Sequence, residues 1–292
     1  MPNYVVAVSG GIDSMVLLDA LQTNRTIGGI DPWKQLAKAD LIIAHFDHGI
    51  RQDSRQDARF VASVAERMGI LFESAREELG QGASEELARD RRYVFLRSVA
   101  QKHNAQLITA HHEGDVGETI AINLTRGTGW RGVAVLDTPG VNRPLLCVTK
   151  QEIREYADAH SILWHEDSTN TDTRYLRNAL RQKMAESDDV IRQLAALRSR
   201  QIEIKRHVDS ETERFISTVS HSRYFFGHCG DAVAVELLRA ICMRDGGGNS
   251  LTIPQRLRVL HAIKVAKPGT VIEAGDGVLV RFTRAEFVVA KA

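Results

Sequence analysis

The residues able to do chemistry in this chain lie in short polar clusters between apolar runs. The first is Ser9-Gly10-Gly11-Ile12-Asp13-Ser14, between the apolar, β-branched run Tyr4–Val8 and the helical stretch Met15–Leu21. A strand that turns through two adjacent glycines into a helix presents unpaired backbone N–H groups at the positive helix end. That geometry suits an anion, above all a phosphate. The same residues also make an ordinary strand-to-helix turn, in which glycine relieves backbone strain and Asp or Ser caps the helix. By themselves they leave both readings open. The lysine of GxxxxGK[ST] is missing, which excludes a kinase-type P-loop. GxGxxG is missing too, which counts against a dinucleotide site. Further polar clusters are Asp47-His48-Gly49-Ile50-Arg51, His111-His112-Glu113-Gly114-Asp115 and Glu166-Asp167-Ser168-Thr169-Asn170. No HExxH or CxxC accompanies the two histidines, so zinc ligation is a poor assignment.

These clusters follow expected strands. Tyr4–Val8, 41–46, 70–74, 106–110 and 162–167 read as strands, and helical patterns separate them. The helix over 84–103 has Ser84 as its N-cap, with Leu87, Arg91, Val94, Phe95 and Val99 at helical spacing. Alternation of this kind predicts an α/β fold, a parallel sheet flanked by helices, with ligands beyond the strands' carboxyl ends. The polar clusters follow the first, second, fourth and fifth expected strands, so they point to one site.

Past residue 185 the pattern changes to one long helix or a helix pair, with Val190, Leu194, Leu197 and Ile204 as an apolar seam. A further helix follows, and after Pro268 a small β meander closes the chain. The expected organisation is a catalytic domain over 1–185, a helical linker over 186–210 and a small α+β domain over 211–292. The chain has 292 residues, 43% of them hydrophobic, and a formal net charge of +1, so a sizeable core is feasible and a basic stripe can hide in a neutral total. Cys147, Cys229 and Cys242 form no CxxC pair, which argues against a disulfide framework and suits a reducing compartment. No apolar stretch approaches the roughly 18 residues of a membrane span, and the N-terminus has no cleavable leader pattern. The expected location is the cytoplasm, with no membrane partner.

SGGIDS resembles the pyrophosphate loop of the N-type ATP pyrophosphatases, of Rossmann-like fold. AHFDHGIR with Ser54 and Asp57, LARDRRY, TAHHEGDVGET, RGTGWRG, RPLL at 143–146 and WHEDSTNTDTRYLRNALR at 164–181 narrow the resemblance to the tRNA(Ile)-lysidine synthetase family, over roughly residues 4–185. The C-terminal hundred residues resemble it only loosely, and the chain is expected to lack the last domain of the longer family members. The resemblance implies that ATP adenylates C2 of the first anticodon cytidine of tRNA(Ile) with a CAU anticodon, releasing pyrophosphate. Free L-lysine then displaces AMP. Other readings are a different PP-loop tRNA-modifying enzyme, or an inactive ATP- and RNA-binding module.

Under that resemblance the backbone of Gly10, Gly11, Ile12, Asp13 and Ser14 cradles the phosphates, with the Ser9 and Ser14 hydroxyls as further donors. Asp13 would act through Mg²⁺, which bridges carboxylate and phosphate oxygens; its bland role is a helix cap. HHEGDVGET departs from the family's HHxDDQxET at Gly114 and Val116 but keeps Asp115, Glu118 and Thr119. Asp115 would hold Mg²⁺ or orient the cytosine, and Glu118 would take a proton from the attacking lysine. His45 and His112 are expected around the nucleotide. Arg89 is expected to stabilise transition-state charge. Arg174, Arg177, Arg181 and Lys183 form a basic face expected to track tRNA, with Asp167, Asn170 and Asn178 at the rim. The C-terminal domain is a further candidate tRNA contact, and a homodimer completes the expected partners.

Overall fold

The computed structural model describes residues 3–34, 40–50, 54–80, 82–165, 188–218, 221–248 and 250–292. By internal contacts the chain divides into two compact units, Met1–Ile202 and Glu203–Ala292.

In the first unit, five parallel strands are ordered β3-β2-β1-β4-β5. They are β1 (Asn3–Ala7), β2 (Leu41–Asp47), β3 (Leu71–Arg76), β4 (Ala105–Ile108) and β5 (Val141–Asn142). The β1 run is buried on both faces, as a central parallel strand requires: Val5 packs with Ile42 and Leu107, while Val6 joins Ile43 and Ile108 on the other side. Helices α1 (Ile12–Thr23), α2 (Ser54–Met68), α3 (Glu85–Lys102), α4 (Glu113–Thr125) and α5 (Lys150–Ala159) fill the connections. β1 pairs with β2 on one side and β4 on the other, with Val6 opposite Ile43 and Ile108. The strand order reverses at β1 and β4, and this switch point is where an open parallel sheet leaves a crevice beyond its carboxyl ends. The Ser9–Ser14 loop leaves β1 there, and His111-His112 leave β4.

Three expectations need correction. The fifth strand is β5, beside β4 through Leu107–Val141 pairing, whereas 162–165 is not a strand. Ile162 and Trp164 instead pack as coil against the main core, which supplied the apolar signal. Along α3, Ser84 caps as expected by accepting from the Leu87 amide, but Leu96, Val99 and Ala88 face inward. Val94 and Leu87 are exposed, at 64% and 42%. The seam of Val190, Leu197 and Ile204 is likewise exposed on α6 (Asp188–Thr218), where Ile202 and Ile216 are buried.

In the second unit, α7 (Arg223–His228), α8 (Asp231–Asp245) and α9 (Ile253–Val265) pack on an antiparallel meander. Its strands are β6 (Val271–Gly275), β7 (Val278–Phe282) and β8 (Phe287–Lys291). Phe226, Phe282, Phe287 and Leu238 centre its core. Among the described residues no helix is long and apolar enough to cross a membrane. Leu96→Ala is expected to cost about 2–5 kcal/mol, and Val94→Ala less than about 0.5 kcal/mol, read from urea unfolding midpoints.

Candidate active site

The loop after β1 has the expected reversal. Gly10 has φ +94°, a conformation L side chains rarely adopt. The N-cap of α1 is Gly11, with no side chain capping it, so neither Asp13 nor Ser14 serves as the cap that an ordinary turn would use. Ser14 instead ties the loop together. Its hydroxyl donates to Gly11 O at 2.9 Å and accepts from the Ser9 amide at 3.2 Å, while Ser9 Oγ accepts from the Gly11 amide at 3.3 Å. The Gly11 and Ser14 amides are thus used within the loop, the latter on Gly11 O. The Ile12 and Asp13 amides, in the first turn of α1, have no intrahelical acceptor.

Two neighbours hold the loop from outside. His45, buried on β2, donates from Nδ1 to Val8 O at 2.8 Å, which leaves its Nε2 as an acceptor; burial holds its pKa below the usual value. The His165 amide donates to Gly10 O at 3.0 Å. The His165 ring stacks on Phe60 with centroids 4.3 Å apart, and its Nδ1 meets Asp57 Oδ1 at 2.9 Å. His45 therefore braces the end of β1, and His165 closes over the loop from the far end of the α/β region.

Helix α4 brings the second carboxylate. Its N-cap is His112, whose Nδ1 accepts from the Gly114 amide at 3.0 Å, while the Asp115 carboxylate accepts from the His112 amide at 3.0 Å. With Nδ1 an acceptor, the ring's N–H is on Nε2. That atom lies 4.0 Å from Asp13 Oδ2 and 3.8 Å from Asp115 Oδ2. The structure thus gathers Asp13, His112 and Asp115 at one point above β1 and β4. Glu118 follows Asp115 on α4 and is buried at 3% exposure.

The departures at positions 114 and 116 have local causes. A Cβ on Gly114 would stand 2.7 Å from His112 Cε1, so glycine lets the cap ring fold back over this position without shifting. Val116 is fully buried with Ile120, Val133 and Val135, where an amide side chain would lack partners.

Lys150 escaped the sequence reading. Its Nζ donates to Asp13 Oδ1 at 2.5 Å. It starts α5, where Thr149 and Glu152 form a capping box. The spelling Thr-x-x-Glu at 149–152 was a usable signal for that helix start. A lysine is disfavoured at a positive helix end, so its pairing with Asp13 is what accounts for its place there.

Arg89 lies half-buried on α3 with Cζ 5.4 Å from the Tyr93 ring centre. It also belongs to the charged surroundings of His111. Burial, followed by the Arg143, Arg92 and Arg89 guanidiniums, pushes His111 down to about 3 against the opposing pull of Asp115. Arg174, Arg177, Arg181 and Lys183, with Asp167, Asn170 and Asn178, lie outside the described residues.

Among known proteins, the PP-loop domain family matches residues 2–187. The chain belongs to the PP-loop family. Its PP-loop region is 39% identical over 187 residues to the tRNA(Ile)-lysidine synthase of Exiguobacterium sibiricum, a match covering 62% of this chain and 42% of that protein. The protein of the same name from Thermotoga maritima is 36% identical over 191 residues, covering 62% and 44%. The Thermus thermophilus one is 38% identical over 185 residues, covering 61% and 34%. The matches therefore span less than half the length of these relatives. In structure, the chain is similar to the U34-tRNA thiolase NcsA from Methanococcus maripaludis with its [4Fe-4S] cluster. The TM-score is 0.56 at 16% identity, over 69% of this chain and 72% of that one, a likeness of fold alone.

His111 is neutral when folded and has an ordinary histidine pKa near 6.5 when unfolded. Its stabilising share is therefore complete above about pH 6.5 and is lost as pH falls toward about 3. Urea midpoints should drop between pH 7 and pH 5, and drop less in His111→Asn.

Proposed function

We propose that the chain is an ATP-dependent ligase that joins lysine to C2 of the first anticodon cytidine of tRNA(Ile) with a CAU anticodon, in the cytoplasm, releasing AMP and pyrophosphate. The observation that carries this reading is the meeting of Asp13, from the phosphate-loop helix, and Asp115, from α4, on His112 Nε2. It is supported by the PP-loop match and by the names of the relatives that share this region.

In this reading the Ile12 and Asp13 amides, at the positive end of α1, take phosphate oxygens. Lys150 would neutralise departing pyrophosphate, and Arg89, with Arg92 and Arg143 around His111, would stabilise charge on the adenylated cytidine. Glu118 would accept the proton of the attacking lysine amine, which must be neutral to act as a nucleophile. Among the described residues no group of three or more His, Cys, Asp or Glu could hold a metal alone. Mg²⁺ needs no such cage. It is bound through one or two carboxylates together with substrate phosphates, and Asp13 and Asp115 fit that donor set. When bound, it would supply charge neutralisation at the phosphates.

An iron–sulfur thiolase reading is disfavoured by the cysteines: Cys147, Cys229 and Cys242 form no CxxC pair, and all three are free. An inactive module would draw its support from Gly114 and Val116, but the packing at both leaves Asp115 and Glu118 in place.

Incubation of the full chain with ATP, lysine and tRNA(Ile) bearing CAU, followed by nucleoside mass analysis, should show lysidine. Asp13→Ala and Asp115→Ala should each abolish it, together with tRNA-dependent ATP–pyrophosphate exchange, while circular dichroism stays unchanged. Full exchange in either variant would refute the assigned roles.

A further inference from the structure

Beside the site, an open cleft of about 440 Å³ is lined by Arg89, Asp90, Tyr93, Val94, Arg97 and Thr138. Arg89, Tyr93 and Arg97 recur at four-residue spacing on α3 and so share one helix face. The Arg89 and Arg97 Cζ atoms lie 5.4 and 5.9 Å from the Tyr93 ring centre, and that of Arg92 lies 5.9 Å away. Among the described residues neither Arg89 nor Arg97 has a carboxylate partner, whereas their neighbour Arg91 is paired with Glu77. Surface arginines ordinarily find such partners or solvent. Here two guanidiniums with no carboxylate partner among the described residues instead rest near one ring at the wall of the cleft, which limits the entropy they lose on binding an anion.

We infer that this cleft is a docking site for the single-stranded RNA backbone next to the nucleotide being modified. The inference rests on the proposed function and adds a substrate-binding surface on α3 to it. Three features favour RNA over other anions. Arg89 is both a wall of the cleft and one of the charges that surround His111, so the cleft begins at the edge of the catalytic cluster. Its far end is marked by exposed Arg97 and Val94, so a polymer can enter and leave, which a free nucleotide does not require. Planar guanidiniums beside an aromatic ring are also the surface on which unstacked bases and their phosphates are held in RNA recognition. Asp90, the one acid in the lining, is exposed and free to turn toward water.

The test measures binding of an RNA anticodon stem–loop with a CAU loop to the full chain, by fluorescence anisotropy across a salt series, with ATP affinity measured in parallel. Arg97→Ala removes one phosphate contact. It should weaken RNA binding about tenfold and reduce the slope of log K against log salt by about 0.7. Val94→Glu removes no donor and places an anion in the cleft, so it should weaken RNA binding as well. ATP affinity should be unchanged in both.

Unaltered RNA affinity and slope in both variants would overturn the inference while leaving lysidine formation by the wild type intact. A loss of ATP affinity matching the loss of RNA affinity would also overturn it, because the cleft would then serve the nucleotide. Wild-type protein that binds the stem–loop through Arg97 but makes no lysidine would uphold the docking site and sink the chemistry. Wild-type protein that binds no RNA would sink both.

Discussion

Two carboxylates held near one imidazole set the central electrostatic constraint of this structure. Asp13 and Asp115 approach the same His112 nitrogen at 4.0 and 3.8 Å, so their oxygens lie no more than about 8 Å apart. At that outer limit and an effective dielectric of about 20, their repulsion is roughly 2 kcal/mol. The fold offsets it with positive ends. Asp13 sits in the first turn of α1 and Asp115 in the first turn of α4, where the macrodipole favours negative charge. Lys150 at the start of α5 adds a full positive charge against Asp13. Three helix starts therefore meet at one place, and the strand order that brings β1 beside β4 makes the meeting possible.

Asp115 answers two demands with one side chain. Its carboxylate closes the capping box of α4 by accepting from the His112 amide, and the same oxygen faces His112 Nε2. Reading such an acid as a helix-start residue or as a site residue is a false choice, because the cap is what aims the carboxylate. The Gly114 departure belongs to the same local design: the cap folds the imidazole back over position 114, where a Cβ would push the ring aside.

Much of this was legible in the chain itself. Alternating strand and helix signals led to the parallel sheet, and polar clusters at strand ends led to a candidate site beyond its carboxyl edge. Glycine-rich turns and apolar strands announce themselves locally. The missed features were tertiary. Val94 and Leu96 are both apolar and close in sequence, yet only Leu96 faces the sheet, since periodicity finds a stripe without saying which side is covered. β5 is two residues long and too short to register as a pattern. Lys150 reaches Asp13 across 137 positions of chain, and no local rule pairs them.

The bond from the His165 amide to Gly10 O has a consequence for biosynthesis. Domains form as the ribosome delivers them, N-terminal parts first, and contacts distant along the chain must wait for their second partner. The glycine turn leaves the ribosome some 150 positions before the peptide group that pins it. A nascent chain halted before that point would carry β1 and α1 with the turn still unpinned. Translation thus starts the Ser9–Ser14 loop well before it supplies the group that completes it.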